Sequence, residues 1–266
     1  MLDVESAHYS DVGRVREHNE DYVDHAAPVT PEQIRSHGWL FALADGVGGQ
    51  DRGEVASRVA VETILAGFRK ATPGEPPGSL LQRLVKDANT QVYEASAHGA
   101  QGGGAMATTV VSCLLRYDRA AVAHVGDSRC YLIRRGQANV LTRDHTVVGE
   151  QQRLGILSAD EAAESEARHI LSRSLGNNLF VNVDLDEHQV IAGDVLLLCC
   201  DGLHGALSPQ EMAAIVGRNS NLETAAQDLV ALAKDKDGSD NISVQLIRIR
   251  DVEKVGMYRG RPYKLR

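Results

Sequence analysis

The chain has 266 residues, of which 43% are hydrophobic and 24% charged, and its formal net charge is −8. This composition is typical of a globular protein with one large domain or two small ones. The acidic balance disfavours general binding to nucleic acid, which needs a basic surface. No apolar run approaches the roughly 18 residues of a membrane-spanning helix, and the first residues lack a signal peptide's apolar core. We therefore expect a cytoplasmic protein with no membrane partner.

The N-terminal segment is dense in charge. Residues 13–21 predict a solvated loop or the end of an edge strand, and they place Arg16 close to two acids, Glu20 and Asp21. Arginine is well suited to binding phosphate, because its planar guanidinium donates two hydrogen bonds at once. Residues 28–38 contain two prolines and predict a surface excursion.

An apolar run at residues 39–44 predicts a buried strand that ends at Asp45, with glycines directly after it. A carboxylate at the end of such a strand is costly to bury unless a cation or hydrogen-bond donors meet it. The same arrangement recurs at residues 195–202, where a second apolar run leads into Asp201. Each Asp-Gly pair alone is typical of a turn, but the two together suggest carboxylates that converge on a cation.

Helices and short strands follow one another between these two runs. Apolar residues at helical spacing predict helices at about 53–69 and 79–97. Strands are predicted at 108–115, 120–125, 130–134 and 138–141. Short strands in direct succession favour antiparallel pairing. The glycines at 102–104 are not followed by the G-K-[ST] sequence of a phosphate-binding P-loop, so that interpretation is rejected.

The region 143–176 is mostly polar and predicts helices, with Ser158 and Glu161 in a capping-box pattern. It is either a mobile flap beside a site or a plain solvated helical hairpin. Beyond it, the sequence predicts strand segments at 181–185 and 195–200, helices at 209–217 and 222–234, and a last strand at 242–249. The basic tail, 251–266, lacks an apolar pattern and is expected to be disordered or to lie on the surface.

The four cysteines, Cys113, Cys130, Cys199 and Cys200, lie in apolar, strand-like stretches. None of them forms a C-x-x-C pair. This pattern favours buried thiols in a reducing compartment and predicts no zinc site.

Four aspartates stand beside predicted strand ends, each next to glycine, serine or asparagine: Asp45, Asp127, Asp201 and Asp240. No histidine–cysteine cluster accompanies them, and carboxylate oxygens suit Mg²⁺ or Mn²⁺ rather than Zn²⁺. Such a set can hold two cations about 3.5–4 Å apart with a bridging water that attacks phosphorus. An arginine nearby would neutralise the phosphate.

The order of the motifs resembles the metal-dependent (type 2C) serine/threonine protein phosphatases in their bacterial form. The matching motifs are Gly13-x-x-Arg16-x-x-Asn19-Glu20-Asp21, Ala44-Asp45-Gly46-Val47-Gly48-Gly49, Thr108-Thr109, Gly126-Asp127-Ser128-Arg129, Cys200-Asp201-Gly202-Leu203 and Asp240-Asn241-Ile242-Ser243. The resemblance covers about residues 10–245. It implies an α+β fold, a four-layer α-β-β-α sandwich with two central antiparallel sheets, formed by residues 1–250 and followed by the tail.

The resemblance also implies a metal centre with two, or with a weaker site three, Mn²⁺ or Mg²⁺ ions. Asp45 would bridge two ions, with the carbonyl of Gly46 on one of them. Asp201 and Asp240 would hold the other ion, and Asp127 would line the third site together with Asp201. A water between the metals would then attack the phosphate of phosphoserine or phosphothreonine without a covalent intermediate.

Other roles follow from the same resemblance. Arg16 would bind the substrate phosphate, and Glu20 and Asp21 would act through metal-bound waters or behind the metal ligands. The region 143–176 would be the family's flap, which influences substrate choice. The expected partners are phosphorylated proteins, the substrates of a bacterial serine/threonine kinase, and the protein is expected to act in signalling as a monomer.

Three positions depart from the family pattern. Val47 stands where some members carry a histidine proposed as general acid, which leaves His18 and His204 as candidates, although a structural role is the more common one for such histidines. Cys200 replaces a hydroxyl residue that often precedes the metal aspartate, and a buried cysteine should be tolerated there. Ala107 in place of a glycine is a minor change.

Two alternatives to a protein phosphatase stay open. A catalytically silent relative could keep the fold as a binding module, but it would be expected to lose metal acids or the phosphate arginine, and all are present here. A hydrolase of small phosphoesters is excluded only by the family resemblance.

Overall fold

The computed structural model describes residues 1–47, 52–98, 106–158, 161, 165–258 and 261–264. Gly48, Gly49, the glycines at 102–104 and part of the flap lie outside these residues. The strands are β1 (Asp3–Asp11), β2 (Asp21–Ala26), β3 (Trp39–Val47), β4 (Ala107–Thr108), β5 (Val110–Arg116), β6 (Arg119–Val125), β7 (Arg129–Arg134), β8 (Gln137–Val140), β9 (Asp184–Gln189), β10 (Val195–Cys199), β11 (Ile242–Asp251), β12 (Val255–Tyr258) and β13 (Arg261–Lys264).

The helices among the described residues are α1 (Pro31–Ser36), α2 (Gly53–Arg69), α3 (Pro77–His98), α4 (Val147–Arg153), α5 (Asp201–His204), α6 (Pro209–Arg218) and α7 (Leu222–Lys236), with a 3₁₀ turn at Glu166–His169. The helices predicted at about 53–69 and 79–97 are confirmed as α2 and α3, and α2 has the predicted bounds. Helix α6 begins with the capping box that Ser208 and Glu211 form, which satisfies backbone N–H groups at the helix start.

Two antiparallel sheets form the centre of the molecule. The first has the strand order β1-β11-β10-β7-β8, and the second has the order β2-β3-β5-β6-β9, with β4 paired to β3. Strand β10 shows why the sheets stack: Leu196 and Leu198 pack between the sheets, whereas Leu197 and Cys199 pack toward the outer helices. Helices α2 and α3 cover the other sheet. This is the predicted four-layer α-β-β-α sandwich.

Several elements differ from the sequence-based expectation. The loop predicted at residues 13–21 is confirmed as the connection that leads into β2 at Asp21, but the strand before it, β1, was not predicted; it pairs with β11 along its whole length. The C-terminal segment forms a hairpin of β12 and β13, for which no strand was predicted. Strand β1 is largely polar, and β12 and β13 have only four residues each, so apolar patterning does not mark the backbone pairing. In the described part of the flap region, α4, the 3₁₀ turn and Glu161 are helical, and Ser158 and Glu161 form the reciprocal hydrogen bonds of the predicted capping box.

The four cysteines are free and buried, as predicted. Among the described residues, no helix is long and apolar enough to cross a membrane.

Candidate functional site

The two sheets bring their acidic strand ends to one edge of the sandwich. Strand β2 pairs with β3 so that Asp21 lies opposite Asp45. Asp21 is 9% exposed, and neither of its carboxylate oxygens has a hydrogen-bond partner within the described part of the chain. Such a group is costly to keep ionised unless a cation compensates its charge. Asp21 is therefore a place where a bound cation would be stabilising.

The backbone at Asp45 is held by the threonine pair that follows the glycine loop. The Asp45 carbonyl accepts hydrogen bonds from the Thr108 hydroxyl and the Thr109 N–H, both at 2.8 Å. The Asp45 N–H donates to the Thr109 hydroxyl at 3.1 Å. These contacts fix the end of β3, so the Thr108-Thr109 motif positions the carboxylate rather than touching a ligand itself.

Gly46 is needed because the chain is crowded where β3 passes the start of α2. A Cβ on Gly46 would lie 2.4 Å from the carbonyl oxygen of Gly53, and one on Gly53 would lie 2.8 Å from a carboxylate oxygen of Glu20. The Gly46 N–H also donates to the Glu20 carbonyl at 3.1 Å. Glu20 is therefore packed beside the end of β3, next to the metal acids that the sequence predicted.

The other sheet contributes Asp201, the first residue of α5 after β10, and Asp240, two residues before β11. The Nη2 atom of Arg16 donates to a carboxylate oxygen of Asp240 at 2.8 Å. A Cβ on Gly202 would lie 2.1 Å from the Asn241 carbonyl oxygen. The glycine after Asp201 therefore lets the helix start pass directly against the Asp240 segment.

The Asn241 side chain joins the N-terminal loop to this centre, a role that its sequence motif did not predict. Its Oδ1 accepts a hydrogen bond from the Glu20 N–H at 2.8 Å. Its Nδ2 donates to the carbonyls of Val12 and His18 at 2.9 Å and 3.0 Å. Its neighbour Asp240 was recognised as an acid at a strand end, but only the fold shows that Asn241 reaches the Glu20 backbone.

The clustered acids disfavour ionisation of one another. Burial, followed by the charges of Asp21 and Asp201, raises the pKa of Asp45 well above its ordinary value. Burial and the nearby Asp201 raise the pKa of Asp127 to about 7. Burial raises the pKa of Asp21 to about 7. Bound divalent cations would offset both the cost of burying these charges and the repulsion between them. An all-oxygen set of ligands suits Mn²⁺ or Mg²⁺, so these residues fit the predicted metals.

Arg16, Asp127, Asp201 and Asp240 line one groove of about 1210 Å³. Arg129, Arg143 and Arg153 also line this groove, and Arg129 pairs with Asp144 at 2.6 Å. The groove thus combines acids that can hold cations with guanidinium groups that can meet a charged substrate.

The contacts of His204, one of the two histidine candidates for the general acid, favour the structural role. The Nε2 atom of its ring donates a hydrogen bond to the Asp127 carbonyl oxygen at 2.9 Å. Burial, followed by the charge of Arg129, lowers the pKa of His204 to about 4. The ring is therefore neutral near neutral pH and serves a structural role. His18 is exposed, and its carbonyl is bound by Asn241.

The raised pKa of Asp127, about 7 against an ordinary value of 3.8, predicts a pH-dependent effect in Asp127→Asn. The raised pKa means that protonated Asp127 stabilises the folded state relative to ionised Asp127. This contribution to stability is fully present below the pKa that Asp127 has in the unfolded chain, and it is lost as pH rises through its pKa in the folded chain. In chelator, the variant should therefore gain more thermal stability over the parent at about pH 8 than at about pH 5. Thermal unfolding at both pH values measures this difference.

The exposed Asp186 supplies the control, because Asp186→Asn should leave the difference near zero. His145 and His204, whose pKa values are lowered by burial, contribute to stability with the opposite pH dependence. Because the parent and both variants contain them, their contributions cancel when the variants are compared with the parent. An Asp127→Asn gain that is equal at both pH values would contradict the raised pKa of Asp127, which burial and the charge of Asp201 cause.

Comparison with known proteins identifies the class. The family model described as protein phosphatase 2C matches residues 9–242. The serine/threonine phosphatase stp of Listeria monocytogenes serotype 4b is 32% identical over 252 residues, 93% of this chain and 96% of the relative. The chain therefore belongs to the protein phosphatase 2C family, and the predicted enzyme class, a protein-serine/threonine phosphatase, is confirmed.

Solved structures agree with this assignment. The serine/threonine phosphatase of S. agalactiae superposes with a TM-score of 0.84 at 29% identity, over 93% of this chain and all of that one (100%). The catalytic domain of the serine/threonine protein phosphatase PstP, solved in complex with two manganese ions, has a TM-score of 0.79 at 30% identity, over 94% of this chain and 100% of that one.

Proposed function

We propose that the enzyme hydrolyses phosphoserine and phosphothreonine in proteins by direct attack of water, without a covalent intermediate. Two Mn²⁺ or Mg²⁺ ions, or three when a weaker site fills, would be its cofactors. The observation that carries the proposal is the meeting of carboxylates from both sheets beside a groove that also holds Arg16. When bound, the cations supply an activated water and neutralise the charge of the phosphate.

Each acid has a proposed role. Asp45 would serve both ions, and the carbonyl of Gly46 would contribute to one of them. Asp201 and Asp240 would hold the other ion. Asp127, whose pKa responds first to burial and then to Asp201, shares the weaker site with Asp201. The pairing of Asp21 with Asp45 supports a role for Asp21 behind Asp45.

Arg16 has the contacts expected of a phosphate ligand. One of its N–H groups holds Asp240 at 2.8 Å, and a guanidinium has five donors in all. The side chain is 46% exposed and lines the groove. Its remaining donors can therefore bind the substrate phosphate while its position is fixed by Asp240. The Glu20 carboxylate lies against the backbone of Gly53. We propose that it acts through metal-bound water rather than as a direct metal ligand.

Replacing Arg16 by alanine should raise KM for a phosphoprotein more than it lowers metal affinity, because Arg16 binds phosphate and not metal. A loss of roughly 10–100-fold in kcat/KM is expected for one charged hydrogen-bonding partner, at about 1.5–3 kcal/mol. Steady-state kinetics and Mn²⁺ titration separate the two effects. Arg14→Ala is the matched control, because Arg14 lies on the same loop but pairs with Asp235. An unchanged KM in Arg16→Ala would contradict the role.

The leaving oxygen needs a proton. Val47 cannot supply one, and neutral His204 is engaged by the main chain. We therefore assign this proton to water in the open groove.

The biological setting is proposed from the resemblance and from the bacterial origin of the relatives. The phosphatase domain spans residues 1–250, the flap spans about 143–176 and influences substrate choice, and residues 251–266 form a basic C-terminal tail. The substrates are phosphoproteins made by a bacterial serine/threonine kinase, and the enzyme acts in signalling as a cytoplasmic monomer.

The substrate class is tested by comparing phosphothreonine peptides with nucleotides at equal concentration in Mn²⁺. The proposal predicts a clear preference in kcat/KM for the peptides. Equal or faster hydrolysis of nucleotides would favour a small-phosphoester hydrolase instead.

A further inference from the structure

A buried histidine at the start of the flap is bonded to the backbone just before Asp127. His145 is 4% exposed. Its main-chain N–H donates to the Gly126 carbonyl at 3.0 Å, and its ring Nδ1 accepts a hydrogen bond from the Gly126 N–H at 3.1 Å. One residue therefore holds both polar groups of Gly126, next to the aspartate proposed for the weaker cation site.

The backbone at Gly126 depends on such support. Its φ is +104°, in the region that favours glycine, and a Cβ at this position would lie 2.6 Å from the Cβ of Thr109. A glycine has no side chain through which its position can be fixed, so its peptide groups must be held instead. The hydrogen bonds from His145 do this, and the Asp127 main chain follows directly from the peptide that they hold.

The hydrogen bond from Gly126 also fixes the tautomer of His145. A backbone N–H can only donate, so Nδ1 is the acceptor and the proton of the neutral ring is on Nε2. This Nε2 lies 3.3 Å from a carboxylate oxygen of Asp184, to which it donates. Burial, followed by the nearby His124 and Arg173, lowers the pKa of His145 to about 4, so the ring is neutral near neutral pH. Asp184 therefore supports the ring orientation that leaves Nδ1 to Gly126.

Arg173, near the end of the flap, completes the arrangement. Its Nη1 donates to the other carboxylate oxygen of Asp184 at 2.8 Å and lies 3.2 Å from Nε2 of His145. One ligand atom each of His124, His145 and Asp184 lie within 4.8 Å of one another, as metal ligands can, but here the Arg173 guanidinium supplies the positive charge beside Asp184. The Ser172 N–H donates to the His145 carbonyl at 2.9 Å, so the two ends of the flap meet at His145.

We propose that His145 is a positioning residue: its Nδ1 holds the Gly126 peptide and thereby places the Asp127 carboxylate at the weaker cation site. Asp184 and Arg173 hold the ring in the orientation that this bond needs. The inference rests on the proposed function, which assigns Asp127 to that site. His145 touches neither substrate nor cation in this role. It joins the flap to the metal centre, so a displacement of the flap's ends also displaces Asp127.

Two amide substitutions separate this role from packing alone. The Oδ1 of asparagine can take the place of Nδ1, whereas the longer glutamine side chain places its amide near the position of Nε2. His145→Asn should therefore keep the hydrogen bond from the Gly126 N–H, and His145→Gln should lose it. In the metal-free full chain, hydrogen exchange of the Gly126 amide, followed by NMR, should be about three- to tenfold faster in His145→Gln than in His145→Asn, as the loss of one hydrogen bond predicts.

Calorimetric titration of the substrate-free full chain with Mn²⁺ measures the consequence for Asp127. The proposed function predicts a tight phase of binding and a weak one. His145→Gln should weaken the weak phase about tenfold, at the lower end of the range for groups behind metal ligands, and leave the tight phase within about twofold. His145→Asn should keep both phases close to those of the parent. A general loss of packing would instead weaken both phases in both variants.

Asp184→Ala provides a further variant that leaves the buried ring in place. The Asp184 side chain is 39% exposed, so the fold should survive its loss, but the Nε2–H of His145 then loses its acceptor. The variant should change Gly126 exchange and the weak Mn²⁺ phase in the same direction as His145→Gln. Asp186→Ala is the matched control, because Asp186 is exposed on the same strand, β9, and it should change neither quantity.

NMR of the parent should show the His145 proton on Nε2, and a proton on Nδ1 would overturn the proposal. Equal Gly126 exchange in the two His145 variants would do the same, as would a parental weak Mn²⁺ phase in both His145→Gln and Asp184→Ala or the absence of a weak phase in the parent. Phosphate release is measured separately. Two-phase Mn²⁺ binding without phosphate release would contradict only the proposed function, and Mn²⁺-dependent release with parental Mn²⁺ binding in every variant would contradict only the role of His145.

Discussion

Replacing Asp45 by asparagine is expected to abolish turnover, with a fall in kcat/KM on the order of 10³ or more. Removal of one electrostatic contact to a reacting centre already costs about 10²–10³, and Asp45 is proposed to serve two cations. The amide has nearly the same size as the carboxyl group, so the fold should survive. In chelator the variant should be more stable than the parent, because Asp45 lies among Asp21, Asp127 and Asp201.

This pair of effects, lost activity with raised metal-free stability, separates a metal ligand from a structural residue. Asp237→Asn is the matched control, because Asp237 lines the same groove but is exposed and outside the predicted metal set. It should change neither quantity by much. Phosphate release and thermal unfolding measure the two effects. Activity of Asp45→Asn within a few-fold of that of the parent would contradict the assignment of Asp45 as a metal ligand.

Replacing Asn241 by alanine is expected to cost both stability and activity. The change leaves the Glu20 N–H and the carbonyls of Val12 and His18 without their partner. A typical hydrogen bond contributes about 0.5–1.5 kcal/mol net, so the loss of three predicts a fall of about 1.5–4.5 kcal/mol in the free energy of unfolding. Because the loop carries Arg16, kcat/KM should also fall at least about tenfold.

Denaturant unfolding and steady-state kinetics measure the two losses. Asn139→Ala on the exposed strand β8 supplies the control and should be close to neutral. A variant of Asn241 with parental stability would show that solvent replaces the lost hydrogen bonds. An Asn241→Ala variant with lower stability but full activity would show that the loop that carries Arg16 keeps its position without Asn241.

The sequence predicts the strand-end acids well because the physical signal is local. Asp45 and Asp201 each follow an apolar run and precede a glycine; in the structure Asp45 lies two residues before the end of β3, and Asp201 begins α5 just after β10. The helix α2 was predicted with its observed bounds, since its apolar face repeats at helical spacing.

The remaining features depend on which strands become neighbours. Strand β1 is largely polar and becomes a strand because the buried strand β11 accepts its backbone hydrogen bonds. Asn241 reaches the Glu20 backbone, and Cys200 reaches Asp21, only after residues more than 170 positions apart in sequence have come together. No local pattern carries that information, because register and sheet stacking are set by the whole fold.

The most direct test of the account is phosphate release from a phosphothreonine peptide by the full chain in Mn²⁺, with and without EDTA, beside Asp201→Asn. The account predicts rapid release that EDTA stops, that excess Mn²⁺ restores, and that Asp201→Asn lacks although it folds. Folded protein that releases no phosphate with Mn²⁺ or Mg²⁺, or that releases it equally well in EDTA, would contradict a metal-dependent phosphatase.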